Sequence, residues 1–448
     1  MSGNKYAKRF LLPTVALWCA SLVLLLVPAR SSGAARALVN AAAWASAEET
    51  AATREGRLRV FDDVWETVRA RYYDPSLHGV DWRAQRERFR LLAAEAGGEA
   101  ELYAALRRML VQLRDPHTRV FAPGENSDWR VQRTISVGLS AREVGGELLV
   151  SAVERESEAE RAGVRAGEAV LKVDGEAASA VVARRAGERA TASSVATARA
   201  LAVARLFDGP RDTLAEVSLR GANGREKSVR LRRELRTRAP ELEARMAGRG
   251  VGVVRFNVFT QANAAAFARA MKEELRGARA VVIDLRENGG GETEAMTDIA
   301  SLFLPAGLGL GRFTDREGRV RLEPHTRARL FSAAHAPATF DGPVVVLTGA
   351  RTASASEVFA AALKERGRAT VIGEATCGCV LGIRRRHTLP DGGLLDISEM
   401  DYRTAGGRRL EGAGLEPDER VSPTRRDIQS GHDAALARAV ELLKARAA

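Results

Sequence analysis

The chain has 448 residues, of which 45% are hydrophobic, 28% are charged and 5% are aromatic, and its formal net charge is +12. This length is sufficient for two or three domains with hydrophobic cores. The positive charge comes from arginines spread along the chain rather than from basic blocks interleaved with aromatic residues. Composition therefore argues against nucleic-acid binding and favours attraction to anionic lipid head groups.

The N-terminal segment predicts export. Lys5, Lys8 and Arg9 precede an uncharged, apolar run over residues 11–29. Such a run is long for the core of a signal peptide and just long enough to span a bilayer. We predict a signal peptide or a membrane anchor within residues 1–37, and both alternatives stay open. In either case the body lies outside the cytoplasm, in the periplasm or another extracytoplasmic space, free or anchored to the inner membrane.

Residues 47–130 are predicted to form a helical N-terminal domain. Apolar side chains recur at helical spacing between Leu58 and Val68. The same pattern continues over residues 82–94 and 102–113. This domain would deliver His117 to the edge of the core.

Residues 131–234 change to the alternating pattern of β-strands, for example at residues 147–153. Residues 162–175 then follow the pattern A-G-V-x-x-G-[DE]-x-[IV]-x-x-[IV]-[DN]-G. This pattern strongly resembles a PDZ domain, a module that adds an extended peptide to a sheet edge. The resemblance places Gly138 and Leu139 in the loop that would hold the C-terminal carboxylate of the peptide.

The PDZ-like stretch also carries an insertion. Residues 176–208 are longer than the usual segment and include an Ala-rich helical run over residues 193–206. A helix there could cover the peptide groove. The alternative that this domain only braces the core therefore stays open.

Residues 235–430 are predicted to form an α/β core. Strand-like runs at residues 251–256 and 280–285 enclose a helical pattern at residues 261–275, and the alternation continues beyond them. The last stretch, residues 431–448, is predicted to be an amphipathic helix on the surface of this core.

A serine at a strand-to-helix junction is the first candidate for catalysis. Ser354 lies among small residues, between an apolar strand at residues 344–347 and an Ala-rich helix at residues 357–364. Unpaired backbone N–H groups at a helix N-terminus are suited to stabilising a tetrahedral oxyanion beside a nucleophile. The alternative is that Ser354 merely caps the helix, which is the common role of serine there.

Three sequence blocks reduce this ambiguity. They read D-L-R-x-N-G-G-G at residues 284–291, S-A-S-E at residues 354–357 and G-E-x-T-x-G at residues 373–378. Their order resembles the carboxyl-terminal processing (tail-specific) proteases, whose peptidase core is of the ClpP/crotonase-like α/β type. The resemblance implies that Ser354 is the nucleophile. It also implies that the oxyanion donors are the amides at the end of the first block and after the serine, namely those of Gly290, Gly291 and Ala355.

The chain departs from that family at the general base. Many members use a lysine after the third block, and here the corresponding position is Cys379. A thiol with an ordinary pKa near 8.5 is mostly protonated at neutral pH and is a poor substitute for a lysine. Either the protein is catalytically inactive or another residue supplies the base.

A histidine and a glutamate offer a replacement. The tricorn-like branch of the superfamily uses no lysine but a histidine from an early segment and a glutamate from a late L-E-x-x-G-x-x-P-D segment. The resemblance assigns these roles to His117 and Glu411, because an imidazole can accept the serine proton and a carboxylate can orient it. The competing histidines are His325 and His335, in a polar insertion where exposure is expected, and His387, in a predicted hairpin.

Cys377 and Cys379 form a C-x-C pair. A mutual disulfide across one residue is expected to be strained, and no histidine cluster completes a zinc site. We interpret them as small buried residues that line the site, unbridged, and we expect no metal and no cofactor.

The sequence therefore predicts an exported serine endopeptidase that cleaves exported proteins or their C-terminal tails. The partners would be protein or peptide substrates and, through residues 11–29, the membrane, but not nucleic acid; the oligomeric state is not predicted. Two alternatives stay open. One is a catalytically inactive, peptide-binding scaffold of the same fold, and the other is an acyl hydrolase that acts on small esters.

Overall fold

A computed structural model describes residues 51–125, 127–188, 195–248, 250–328 and 339–447. The predicted signal peptide or anchor lies outside these residues, and so does His335. Among the helices in the described ranges, none has both the length and the apolar character needed to cross a bilayer.

Three helices form the N-terminal region, which confirms the prediction of a helical N-terminus. The first of them is capped by Thr53, whose Oγ1 accepts a hydrogen bond from the N–H of Gly56. Short 3-10 turns at Leu77–Gly79 and Val111–Leu113 follow the first and the last helix. The helices are α1 (Arg54–Arg71), α2 (Trp82–Glu95) and α3 (Glu99–Leu110).

A β-rich region follows, as the alternating pattern predicts. Its larger sheet has the order β3-β4-β5-β7-β8, with β6 beside β5, so that β3 is an edge strand. A second pair, β2 and β9, runs antiparallel and connects the region to its neighbours in the chain. The strands are β2 (Gln132–Ser136), β3 (Leu139–Val144), β4 (Glu147–Val153), β5 (Ala169–Val173), β6 (Glu176–Ala177), β7 (Leu214–Arg220), β8 (Glu226–Arg232) and β9 (Glu234–Arg238).

Among the residues of this region that the structure describes, three helices accompany this sheet. The predicted helical run in the insertion is present and packs against the edge strand β3 and against the helix before it. The helices are α4 (Glu158–Arg161), α5 (Ala178–Glu188) and α6 (Val195–Ala204). That this region is a PDZ domain remains a prediction.

The core is a six-stranded sheet of order β10-β11-β12-β15-β16-β19. β10 is antiparallel to its neighbour and the other pairs are parallel. Every residue of β12 and of β15 is buried, as expected for parallel strands covered by helices on both faces. The strands are β10 (Leu242–Met246), β11 (Val251–Phe256), β12 (Ala280–Asp284), β15 (Val344–Thr348), β16 (Ala369–Gly373) and β19 (Glu419–Arg420).

Alternate residues of the core strands face two different layers of helices. One face, which includes Val254 and Ile283, packs on α7, α8 and α9. The opposite face, which includes Val253 and Val282, packs on α11 near the C-terminus. These helices and the short one before the last are α7 (Gln261–Lys272), α8 (Thr293–Ala300), α9 (Ala355–Glu365), α10 (Arg425–Ser430) and α11 (Ala434–Ala447).

A third sheet, of order β1-β18-β13-β14 with β17 beside β18, joins the N-terminal helices to the core. β17 and β18 form the hairpin predicted around His387. The polar insertion contributes β13 and β14 to this sheet, whereas its His325 is exposed, as expected. The strands are β1 (Arg119–Phe121), β13 (Arg312–Thr314), β14 (Val320–Leu322), β17 (Gly382–Thr388) and β18 (Leu394–Arg403).

Candidate active site

Ser354 lies where the carboxyl ends of the parallel strands meet, the edge at which ligands bind in open α/β sheets. It follows β15 and occupies the N-cap position of α9. Its backbone has φ +56° and ψ −122°, a conformation that L-residues rarely adopt. Backbone strain of this kind is common at active sites, because the surrounding structure must hold it in place. A simple helix cap does not need this geometry.

The glycine turn after β12 lies directly against the serine. Gly290 has φ +98°, and a Cβ atom at that position would be 2.7 Å from the Cβ of Ser354 and 3.0 Å from the amide nitrogen of Ala355. Gly291 has φ +141°, and a Cβ there would be 2.2 Å from the carbonyl oxygen of Phe259. Both positions therefore require glycine, and the first brings backbone amides beside the nucleophile.

Asn288 connects the glycine turn to the serine loop, a role that the sequence did not reveal. The side chain is fully buried, and its Oδ1 accepts hydrogen bonds from the Gly290 N–H at 2.9 Å and from Ser356 Oγ at 2.8 Å. Its carbonyl oxygen accepts the N–H of Ala353 at 3.2 Å. Because both segments bond to one residue, their relative position is fixed.

These contacts bear on the three predicted oxyanion donors. The Gly290 N–H already donates to Asn288, so it is not directed at a substrate. For the N–H groups of Gly291 and Ala355, no acceptor is found among the described residues. These two amides, one in the glycine turn and one after the serine, are thus the candidate oxyanion donors.

Glu357 organises the loop on the other side of Ser354. Its carboxylate is fully buried and accepts hydrogen bonds from four donors. Burial raises the pKa of Glu357 to about 7, although all four donors favour the ionised form. The donors are the N–H groups of Ser354, Gly378 and Cys379 and the hydroxyl of Thr376.

Cys377 and Cys379 are joined by a disulfide bond, so the prediction of two unbridged cysteines is wrong. Gly378 between them has φ +71°, and the Cα atoms of the two cysteines are 5.2 Å apart, within the usual range for a disulfide. Glycine tolerates this positive φ, so that two cysteines separated by one residue can come close enough to form the bridge. Both cysteines are buried, as predicted.

His117 is held in the turn that follows the N-terminal helices. The turn is anchored by Asp115, whose Oδ1 accepts the N–H of His117 at 2.8 Å and lies 3.6 Å from its Nδ1. Thr118 donates its hydroxyl to the same carboxylate and accepts the N–H of Ser398 at 3.1 Å. The backbone of the turn that carries His117 is therefore held between α3 and the β1–β18 pair.

Glu411 lies in the turn after β18 and is 7% exposed. Its Oε2 accepts the N–H of Val380 at 2.6 Å, while the carbonyl oxygen of Cys379, one residue earlier, accepts the N–H of Ser354 at 2.9 Å. Burial, followed by the negative charges of Asp115 and Glu411, raises the pKa of Tyr72 above its ordinary value. The carboxylates of Asp115 and Glu411 thus both act electrostatically on Tyr72.

The remaining candidates lie elsewhere. Gly138 donates its N–H to Ser136 Oγ at 3.0 Å, and Leu139 begins the edge strand β3. His387 pairs with the buried Glu399 at 3.3 Å, and the pKa of this histidine is lowered mainly by burial. Among the described residues, no group of His, Cys, Asp and Glu side chains is arranged to hold a metal ion.

Comparison with known families identifies the fold and the chemistry. Residues 250–421 match the model of peptidase family S41, and residues 54–111 match that of the tricorn protease C1 domain. The chain therefore contains a peptidase family S41 domain. It is accordingly a serine-type peptidase, and the matches give no support to the alternative of a non-catalytic scaffold.

Named relatives agree with this assignment. The chain is 29% identical over 385 residues to carboxyl-terminal-processing peptidase 1, chloroplastic, of Arabidopsis thaliana, covering 83% of this chain and 72% of the relative. It is 28% identical over 368 residues to the carboxyl-terminal-processing protease of Synechocystis sp., covering 80% and 79% of the two chains.

Solved structures show the same fold. The photosystem II D1 C-terminal processing protease superimposes with a TM-score of 0.52 and 27% identity, covering 84% of this chain and 98% of that one. Mature CPAF in complex with lactacystin has a TM-score of 0.64 but only 13% identity, covering 86% of this chain and 98% of that one, so it shows the fold alone.

Proposed function

We propose that this S41 peptidase cleaves exported proteins, or their C-terminal tails, with Ser354 as nucleophile, His117 as general base and acid, and Glu411 as the carboxylate that orients the imidazole. The observation that carries the proposal is the approach of the Gly290 turn to Ser354 at a strained N-cap. This close approach supports a site in which the serine hydroxyl and backbone N–H donors act on the same carbonyl group.

The general base is the residue in which this chain is proposed to differ from lysine-dependent relatives. The position at which the family resemblance would place the lysine is Cys379, which is bonded to Cys377 and carries no ionisable proton. A base must therefore come from another segment, and the turn at His117 is the candidate that the tricorn-like resemblance supplies. The match of the N-terminal helices to a tricorn domain supports this choice.

The contacts around Glu411 support its proposed role. Glu411 bonds to Val380, and the preceding residue bonds to the backbone of Ser354, so the carboxylate is connected to the nucleophile through two hydrogen bonds. Asp115, 3.6 Å from Nδ1 of His117, is a second carboxylate that can stabilise the imidazolium.

The reaction follows from these roles. His117 takes the proton of Ser354 as the hydroxyl oxygen attacks the scissile carbonyl, and the amides of Gly291 and Ala355 stabilise the oxyanion. The imidazolium then returns the proton to the leaving amine, and water hydrolyses the acyl-enzyme by the same steps in reverse order.

The β-rich region is proposed to deliver the substrate as a PDZ-like domain. Its edge strand β3, beside the neighbouring α6, is the proposed place at which an extended peptide would add to the sheet. Thr197, near the start of α6, donates its hydroxyl to the carbonyl oxygen of Cys377 at 2.6 Å. A peptide added to β3 would therefore lie near the helix that contacts the loop beside Ser354.

We also propose the domain organisation that the sequence predicts. It comprises a leader or anchor at residues 1–37, a helical domain at 47–130, the PDZ-like domain at 131–234, the peptidase core at 235–430 and the terminal helix at 431–448. With such a leader the protein would act on substrates outside the cytoplasm.

The test is hydrolysis of an unfolded protein substrate by the wild-type enzyme and by Ser354→Ala and His117→Ala. Each substitution should lower kcat by roughly ten-thousand-fold, because members of such a triad act as a unit. His325→Ala is the matched control, since that histidine is exposed, and should leave kcat unchanged. Full activity of His117→Ala would contradict the base assignment, and turnover of small esters without proteolysis would favour an acyl hydrolase.

A further inference from the structure

The disulfide lies in the loop that holds the backbone of the nucleophile. The N–H of Ser354 donates to the carbonyl oxygen of Cys379 at 2.9 Å, and the N–H of Cys377 donates to the carbonyl oxygen of Thr352 at 2.9 Å. The two cysteines therefore bond to Ser354 itself and to Thr352, two residues before it. The disulfide bond joins these two cysteines covalently.

The same loop also supports the Glu411 turn. The carbonyl oxygen of Gly378 accepts the N–H of Gly412 at 2.8 Å, and a Cβ at Gly378 would be 2.9 Å from the amide nitrogen of Gly414. The N–H of Val380 donates to Glu411 itself. The loop thus touches both the nucleophile and the proposed orienting carboxylate.

We propose that Cys377 and Cys379 form a reversible dithiol–disulfide site that controls peptidase activity, with the oxidised form active and the reduced form impaired. This rests on the proposed function for its effect on turnover, but not for the redox chemistry itself. Nothing in the chemistry of the triad uses either sulfur atom, so the bridge is free to serve as a regulatory modification.

Reduction takes place by thiol–disulfide exchange with a dithiol. One thiolate of the dithiol attacks a cysteine sulfur and forms a mixed disulfide, releasing the other cysteine as a thiolate. The second thiolate of the reagent then closes the reagent's own disulfide and releases the first cysteine. Two electrons pass to the protein, and two protons from solvent complete the pair of thiols.

The structural effect follows from the space that two thiols need. A covalent S–S bond of about 2 Å is much shorter than any non-bonded contact between sulfur atoms, so reduction moves them apart by more than roughly 1 Å. In this loop the movement is transmitted to the N–H of Ser354 and to Val380 by the bonds described above. A displacement of about 1 Å at a reacting group can lower the rate on the order of 100-fold.

Access to the bridge is restricted. Cys377 and Cys379 are 5% and 4% exposed, and Thr197 of α6 covers the carbonyl group of Cys377. Exchange therefore requires this loop to be uncovered, and the folded enzyme should react slowly with a dithiol compared with an exposed disulfide.

The test compares the oxidised enzyme with the enzyme equilibrated in dithiothreitol, with thiols counted by alkylation and mass spectrometry. We expect two additional thiols after reduction, a fall in kcat on the order of 100-fold, and recovery on reoxidation. The double variant Cys377→Ser/Cys379→Ser should have the low activity in both conditions. Cys19→Ser, the matched control, should respond like the wild type, because it keeps the bridge.

Equal kcat in the two states of the wild type would overturn the proposal, and so would two free thiols at these positions under oxidising conditions. Because reoxidation of the wild type needs no substitution, misfolding of the double variant cannot decide the result. Hydrogen exchange at the amides of Ser354, Gly378 and Cys379 gives a readout that does not depend on turnover. Unchanged exchange on reduction would contradict the proposal. Absence of proteolysis in both states together with increased exchange would instead contradict the proposed function.

Discussion

Asp115 shows how one buried carboxylate can define the position of a histidine. It is 1% exposed, and it bonds to the backbone of His117 and to the hydroxyl of Thr118. Burial alone would raise the pKa of Asp115, but its contacts with His117 and Thr118 outweigh burial and hold the pKa below the usual range. The carboxylate is therefore ionised and faces the proposed base.

We expect Asp115→Asn to lower kcat on the order of 100-fold with little change in KM, because the amide keeps the turn but loses the charge that stabilises the imidazolium. Steady-state kinetics on a peptide substrate measures both constants. Thr118→Val, which removes a neighbouring hydroxyl and leaves the carboxylate, is the control and should have a smaller effect. A normal kcat for Asp115→Asn would leave Glu411 as the orienting residue.

Glu357 gives a prediction for the pH dependence of stability. Its pKa is raised by burial from 4.5 to about 7, so the folded state binds a proton more tightly than the unfolded state. This contribution is fully present at low pH and is lost as the pH rises from about 4.5 to about 7. The sign is opposite to that of a carboxylate held by a salt bridge.

We expect the free energy of unfolding of the wild type, relative to that of Glu357→Gln, to decrease as the pH rises through this window. Urea denaturation at several pH values between 4.5 and 7.5 measures the difference. The glutamine variant should also be less active, since its amide group would face N–H donors that need an acceptor. Parallel stability curves for the two proteins would rule out titration of Glu357 in this range.

At the scale of elements, α6 is attached to the active-site loop by a buried hydrogen bond. Thr197 is 3% exposed, and its hydroxyl bonds to the carbonyl group of Cys377, 180 residues away in sequence. Arg142 of β3 adds an ion pair with Glu374 at 3.2 Å. The buried contact is expected to contribute more than the partly exposed ion pair, which is screened by solvent.

We expect Thr197→Val to lower the free energy of unfolding by about 1 kcal/mol, because the carbonyl group of Cys377 loses its buried partner. Chemical denaturation measures this change. Thr237→Val, on the exposed face of β9, is the matched control and should stay within about 0.5 kcal/mol of the wild type. Equal stability of the two variants would indicate that α6 does not hold the loop.

The elements also show how far sequence patterns reach. Periodicity predicted the N-terminal helices and the buried core strands, because these segments are long and bury one face or both. The strands β13 and β14 were not predicted, since three residues are too few to show a period and β13 pairs with β18, about 90 residues later. The hairpin of β17 and β18 was recognised from its turn residues.

The candidate site was likewise predicted in part from the sequence and in part not. Motifs in the chain pointed to Ser354 and to the glycine turn, and the structure brings the two into contact. Asn288 and Glu357 were missed as organising residues because their importance depends on hydrogen bonds to distant segments. The bridge between Cys377 and Cys379 was missed because it depends on the positive φ of Gly378.

At the scale of the whole molecule, the N-terminal helices share a hydrophobic core with the hairpin that follows the active site. Val64 and Leu106 belong to the same buried cluster as Leu389, Leu395 and Ile397. The helices therefore complete the fold around His117 rather than form a separable unit.

We expect a chain that begins at residue 132 to lose cooperative unfolding, because removing α1, α2, α3 and β1 exposes this shared apolar surface. Thermal unfolding followed by circular dichroism, with binding of a hydrophobic dye, measures the effect. A chain that begins at residue 51 is the control and should unfold cooperatively. Cooperative unfolding of the shorter chain at the same temperature would contradict a shared core.

The unusual backbone of Ser354 has a consequence for how this enzyme can change over generations. Glycine would adopt φ +56° without the penalty that a side chain incurs, so Ser354→Gly should raise the melting temperature while abolishing turnover. Selection for catalysis must therefore act continuously against a more stable alternative that differs by a single substitution. Lineages released from that selection would be expected to lose the hydroxyl early and to keep the fold.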